Sequence, residues 1–221
     1  MMRASVRRLR RDQRGITLVE LLVAMLVTSL LLTLVGSFFV SMTKAQRTVA
    51  AVNDSTRQGT TSMTQLSRYL REASRWQESK AKLNPAFTRA TATGLTFYSA
   101  VDLSTSQSGL TKVTVDIVSS KLRMQLQQGN CPVGGYCTFT GATRTVWLAD
   151  VVRTTGTYTT QFLYYNVTDD TITPTSATFD SIRSVEIKLA VGSANGTTAN
   201  DTTFHATINL RNLDYGAATE S

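Results

Sequence analysis

From Ile16 to Val40 the chain reads ITLVELLVAMLVTSLLLTLVGSFFV, twenty-five residues in which Glu20 is the only ionisable side chain. As a helix rising about 1.5 Å per residue, this run reaches roughly 37 Å, enough to cross a hydrocarbon core. It is preceded by Arg3, Arg7, Arg8, Arg10, Arg11 and Arg14 against the lone Asp12. Basic residues flanking a span resist translocation, so this end is expected to stay cytoplasmic and the rest of the chain to lie outside. A cleaved secretory signal, cut near Val35-Gly36-Ser37, would need an apolar region of only about 7 to 15 residues, far shorter than this one.

The same arginines account for most of the charge. The formal net charge is +8, and six arginines against one aspartate place +5 of it in the first fifteen residues, leaving +3 for everything after. A nucleic-acid reading based on net charge alone therefore loses its main support. The 221 residues, 42% hydrophobic and 17% charged, suit one domain plus a helical extension. A single histidine and two cysteines leave little material for imidazole catalysis or a metal centre, and no nucleophile, base and orienting group fall at a recognisable spacing. The expectation is a protein without catalytic residues, cofactor or metal.

Glu20 is the exception inside the apolar run. A carboxylate in a membrane helix costs on the order of 2.5 to 3.5 kcal/mol at the centre and less near the interface, so it calls for a partner. A cut between Gly15 and Ile16 would create an α-amine four residues away, and in an assembly that amine could belong to a neighbouring subunit.

The string RGITLVELLVAMLVTSLLL resembles the class III signal of type IV prepilins and pseudopilins, a short basic leader ending in glycine followed by an apolar helix with glutamate fifth in the mature chain. The resemblance covers about residues 10 to 40. It implies cleavage after Gly15 by a prepilin peptidase, methylation of the Ile16 amine, and a role for Glu20 in docking with other pilins and the assembly platform. Ile16 stands where phenylalanine is usual in the family. The implied precursor is a single-pass protein of the plasma (inner) membrane.

Beyond the apolar run, Met42, Ala45, Val49, Val52, Thr56, Gly59, Met63, Leu66, Leu70 and Ala73 recur every three or four residues. This stripe predicts an amphipathic continuation of the helix through residues 41–78, ending near Trp76, with Gly36 and Gly59 as its softest points. A dimeric coiled coil would fit the spacing, but Thr56 and Gly59 are poor knobs, and packing on the chain's own sheet is the better fit.

After Pro85 the period becomes two. Val113, Val115 and Ile117 alternate with polar residues, as do Leu122, Met124 and Leu126, with Ser119-Ser120 as the intervening turn. Val185 to Val191 and Phe204 to Leu210 repeat the pattern, and further strands are expected over Leu95 to Val101, Thr145 to Val152 and Thr159 to Val167. About seven strands after one helix predict an α+β fold, with the helix stripe covering an antiparallel sheet. The expected division is a leader over 1–15, a membrane or filament-core helix over 16–40, its amphipathic continuation over 41–78, a β-rich domain over 90–213 and a tail over 214–221. The order of elements resembles minor pilins of the PilW type and pseudopilin J.

Cys131 and Cys137 bracket CPVGGYC, and a disulfide is expected in an exported chain, since a zinc site would need two more ligands and a redox motif closer spacing. His205 is expected to face solvent or a polar edge. Asp169-Asp170 beside Asn166 lacks the glycine and final glutamate of a calcium loop and reads as a turn. Arg68, Arg71 and Arg75, followed by Lys80, Lys82 and Arg89, could track phosphates of DNA; Glu72 and Glu78 interrupt them, which favours a solvated face or subunit contact. Tyr164 and Tyr165 should point to opposite faces of their strand and form no stacking platform. The acceptor patterns at Asn166, Asn195 and Asn200 are what a threonine-rich chain produces by chance. Four classes of role stay open at this point: a minor pilin, a type II secretion pseudopilin, a DNA-binding pilin and an unrelated membrane-anchored adhesin.

Overall fold

The computed structural model describes residues 17–102, 109–132, 135–156, 158–192 and 201–214. They form two compact units that meet in sequence between Arg47 and Thr48.

Helix α1 runs Leu18–Arg71. In the first unit, every described residue from Thr17 to Met42 is exposed, and none of the most apolar window is buried. Its hydroxyls are satisfied internally: Thr28 donates to the Ala24 carbonyl at 2.7 Å, Thr33 to Ser29 at 2.8 Å and Ser37 to Leu34 at 2.8 Å. A segment that leaves so few polar groups seeking water is suited to an apolar solvent.

In the second unit the helix buries Ser55, Gly59, Ser62, Leu66 and Leu70, and Ala73 just beyond it is also buried. The apolar stripe therefore holds from Gly59 onward. Upstream it gives way: Thr56 is exposed, and the neighbouring Ser55 turns inward to share a hydrogen bond of 3.1 Å with the Thr202 hydroxyl. Gly59 is a point of contact and not of softness, because the helix passes through it unbroken under the ring of Phe204.

The helix stops at Arg71, short of the expected Trp76, although no proline or glycine ends it. Strand β4 captures the chain instead. Glu72 C=O accepts from Ala100 N–H and Ser74 N–H donates to Tyr98 C=O, both at 2.9 Å, while Ala73 bridges to Ser99. Tertiary pairing has overridden a modest helical preference.

Eleven strands follow among the described residues, where about seven were expected. Strands β1 (Trp76–Ser79) and β2 (Lys82–Asn84) form a small ribbon that begins at the last residues of what the stripe predicted as helix. Strands β3 (Phe87–Thr91), β4 (Gly94–Asp102), β5 (Gly109–Val118), β6 (Lys121–Gln128) and β7 (Thr143–Ala149) build a five-stranded sheet in sequence order. Strands β8 (Gln161–Tyr165), β9 (Thr171–Ile172), β10 (Ser184–Val191) and β11 (Thr202–Asn209) build a second, in the order β11-β10-β8-β9. All pairings are antiparallel. A short helix α2 (Arg211–Asp214) follows.

Two sheets and one helix share a single core. Leu66 and Leu70 of the helix meet Phe97, Val113, Val115, Leu122 and Met124 of the larger sheet and Phe162, Val185, Ile187 and Ile208 of the smaller. Each such fully buried side chain contributes roughly 1.5 to 3 kcal/mol. The sheets are also tied directly, by Phe162 N–H to Ala92 C=O at 2.9 Å and by the buried Tyr164 hydroxyl to Thr91 C=O at 2.9 Å. Burial pushes the Tyr164 phenol well above its ordinary range, so it stays a neutral donor. The long N-terminal helix packed on antiparallel sheets is the pilin-like α+β fold.

Candidate functional site

The helix begins with a reciprocal hydrogen-bonded pair. Thr17 N–H and hydroxyl both donate to Glu20 Oε2, at 2.9 and 3.0 Å, and Glu20 N–H donates to the Thr17 hydroxyl at 3.3 Å. This is a capping box, in which two first-turn amides that have no partner further down the helix are satisfied by side chains. Thr17-Leu-Val-Glu20 spells its sequence signature, so Thr17 could have been found from the sequence. The carboxylate is thus held at the start of the helix by Thr17; Gly15 and Ile16, between which the cut is expected, lie outside the described residues.

Elsewhere, Cys131 and Cys137 are joined in a disulfide. The bridge belongs to a larger assembly than a surface staple. Asn130 and Thr138 exchange backbone hydrogen bonds of 2.8 and 2.9 Å on either side of it, and the next residue, Phe139, stacks with Tyr98 of β4 (ring centroids 4.7 Å) and Trp76 of β1 (5.1 Å). Trp76 and Tyr98 also touch, at 5.1 Å, so three rings from distant parts of the sequence hold the β1–β2 ribbon and the disulfide loop together. Gly129 makes room: a Cβ there would lie 2.7 Å from the Phe139 ring and 2.8 Å from the Leu110 carbonyl.

The three arginines considered for DNA do not act as a set. Arg68 and Arg71 are exposed and line a groove of about 760 Å³ whose wall includes Met63, Glu72 and Ala100. Arg75 lies beyond the helix end, with its Nε 3.1 Å from Asp180 Oδ1. Lys82 pairs with Glu78 at 2.6 Å. A phosphate-tracking row would need these cations free and aligned.

His205 is exposed, on the outer face of β11, but it is not idle. Its Nε2 lies 2.5 Å from Glu186 Oε1, Lys188 Nζ is 3.2 Å from the same oxygen, and the Tyr165 hydroxyl donates to Oε2. Burial pushes the Glu186 carboxyl up, yet the hydrogen bonds from Tyr165, His205 and Lys188 outweigh it and hold the group below the usual carboxylate range. Tyr164 and Tyr165 do take opposite faces. Asn166 to Asp170 is a turn between β8 and β9: the Asn166 side chain accepts from Thr168 and Asp170 amides at 3.0 and 2.9 Å, with Asp169 at a φ of 59°. Asn195 and Asn200 lie outside the described residues.

Residues 10–36 match the family model described as the prokaryotic N-terminal methylation motif. No curated protein matches the chain. The match covers the N-terminal segment alone, 27 of the 221 residues; a motif of this kind, carried by type IV pilins and pseudopilins, implies processing by a prepilin peptidase, an inner-membrane precursor and assembly with other subunits.

Proposed function

We propose that this chain is a minor pilin of a type IV pilus. The precursor sits in the inner membrane with residues 1–15 cytoplasmic and the region after residue 40 outside. Prepilin peptidase cuts between Gly15 and Ile16, the new Ile16 amine is methylated, and the subunit enters a filament or primes its assembly. Residues 16–40 serve first as the membrane anchor and then as filament core, residues 41–78 link that helix to the β-rich region, and residues 90–213 present the surface particular to this subunit.

The observation that carries the reading is the placement of one carboxylate. Glu20 lies within the motif match, one turn into an apolar stretch of helix that is exposed from Thr17 to Met42. Its hydrogen-bond partners belong to Thr17, next to the predicted cut. In a filament the Glu20 carboxylate exchanges this local cap for the charged amine of a neighbouring subunit, a stronger, charge-assisted partner.

Intact mass and N-terminal sequencing test it, using protein from cells with and without prepilin peptidase and from a Gly15→Ala variant. The expected product is a chain starting at methylated Ile16, lost in both altered backgrounds. An uncut chain in wild-type cells, or a cut near Ser37, would sink the reading. Deleting the chain's coding sequence then separates the branches: loss of surface pili supports the minor pilin, whereas intact pili with a defect in protein export supports a secretion pseudopilin.

A further inference from the structure

The outer face of the smaller sheet carries a groove of about 540 Å³ that plays no part in the assembly reading. Its origin can be followed along β10, whose outward residues are Ser184, Glu186, Lys188 and Ala190. Lys188 is the cross-strand partner of both Gln161 on β8 and His205 on β11, so these three form one row across the sheet. With strands about 4.8 Å apart, the row spans roughly 10 Å. The next outward residue, Ala190, is small and almost fully buried, so the face dips beside the row. Tyr158 lines the groove and is 64% exposed, an aromatic ring open to solvent.

The polar groups converge and are held. Glu186 is 8% exposed and fixed by Tyr165, His205 and Lys188, so it orients the two outer members of its own cluster. A carboxylate oxygen only accepts, so His205 Nε2 carries the proton of that bond, and His205 itself lines the groove. Gln161 adds an amide with both a donor and an acceptor. The charges of Glu186 and Lys188 cancel, which disfavours a phosphate, a carboxylate or an ammonium as occupant. The volume is that of a small-molecule site, and a few fixed polar groups beside an apolar wall are how such sites orient a ligand.

We infer that this groove binds a neutral saccharide, with one pyranose ring stacked on Tyr158 and its hydroxyls bonded to Gln161, Lys188 and His205. Each sugar hydroxyl both donates and accepts, matching the mixed row, and the weakly polarised C–H face of the ring suits an exposed tyrosine.

The test uses the full chain in micelles of a detergent without a sugar headgroup. Saturation-transfer NMR is run with methyl glycosides of glucose, galactose and N-acetylglucosamine, and with sialic acid as an anionic comparison. Transfer to at least one neutral glycoside is expected, with the affinity at least about tenfold weaker in Tyr158→Ala. Tyr158 is exposed and its loss should leave the far-ultraviolet circular dichroism unchanged; should it not, Gln161→Ala provides the second variant, with the same weakening expected. Absence of transfer to all three neutral glycosides overturns the inference. So does binding of sialic acid alone, or binding that neither variant weakens.

Discussion

A methyl group on Gly59 would stand 1.9 Å from Cε2 of Phe204, so the helix and strand β11 approach each other closely only because position 59 has no side chain. Phe204 is partly buried against the core, and the contact fixes where the second part of the helix lies on the smaller sheet. Gly59→Ala gains up to about 1 kcal/mol of helix propensity. Displacing the ring costs roughly 1 to 3 kcal/mol as overpacking does elsewhere, so a net loss is expected. Urea unfolding checks this, and Gly59→Ala combined with Phe204→Leu should recover much of the loss. A single Gly59→Ala variant more stable than wild type would mean the ring moves aside freely.

The turn between β5 and β6 offers a gain instead. Ser119 and Ser120 have φ values of 50° and 60°, the left-handed pair of a type I′ hairpin. Serine pays a conformational penalty there that asparagine and glycine do not. Ser119→Asn with Ser120→Gly should raise the unfolding free energy by about 0.5 to 1 kcal/mol, whereas Ser119→Val should lower it, since β-branched residues resist positive φ. Thermal melts of the two variants should move in opposite directions.

These two sites mark how far the sequence could be read. The Ser119-Ser120 turn was legible because two clean alternating runs flank it, and the helix was legible because its stripe persists for many turns. The end of the helix was not, since Glu72 to Ser74 are claimed by β4, a partner some twenty-five residues away. The β1–β2 ribbon, of four and three residues, is too short to show any period. Alternation identified most longer strands but not the sheet each joins, which is why one sheet was expected where the described residues form two larger sheets and the β1–β2 ribbon. At the site, Glu20 and the cysteine pair were visible as motifs. The Tyr165–Glu186–His205 cluster was not, because only cross-strand register brings those residues together.

The disulfide should matter more to its surroundings than a seven-residue loop suggests. Loop-closure entropy alone gives roughly 2 kcal/mol. Because Phe139 follows the bridge and stacks on Trp76 and Tyr98, replacing Cys131 and Cys137 by serine should also loosen the β1–β2 ribbon. Hydrogen exchange would show this as faster exchange in Trp76–Asn84, and Trp76 emission should shift to the red. A change confined to residues 130–138 would limit the bridge to a local staple.

Thr17 is expected to hold Glu20 in place before assembly. Thr17→Val keeps the shape and removes the hydroxyl, costing about 1 kcal/mol at the helix start. Amide exchange of Glu20, whose N–H donates to that hydroxyl, should quicken in micelles while the helix beyond Leu26 is unaffected. Cleavage after Gly15 should persist. Unchanged exchange at Glu20 would remove the capping box from the account of how the carboxylate is carried in the membrane.

Acid should reveal the Glu186 cluster as a stapling device across three strands. Its folded-state pKa is depressed, because the hydrogen bonds from Tyr165, His205 and Lys188 outweigh the upward push of burial. The sign follows directly: the group contributes stability that is fully present above the ordinary glutamate range, near pH 4.3, and that disappears as pH falls through the lower folded value. Other paired carboxylates, such as Asp116 with Arg123 and Asp201 with Arg153, also weaken in acid, so wild type alone is uninformative. The informative quantity is the difference in unfolding free energy between wild type and Glu186→Gln. That difference should shrink as pH falls below about 4, where Glu186 takes up its proton. A difference that stays constant down to the acid limit would mean that the ionised carboxylate adds nothing beyond what a neutral amide supplies to Tyr165, and the three strands would then be held by backbone pairing and the inner-face core alone.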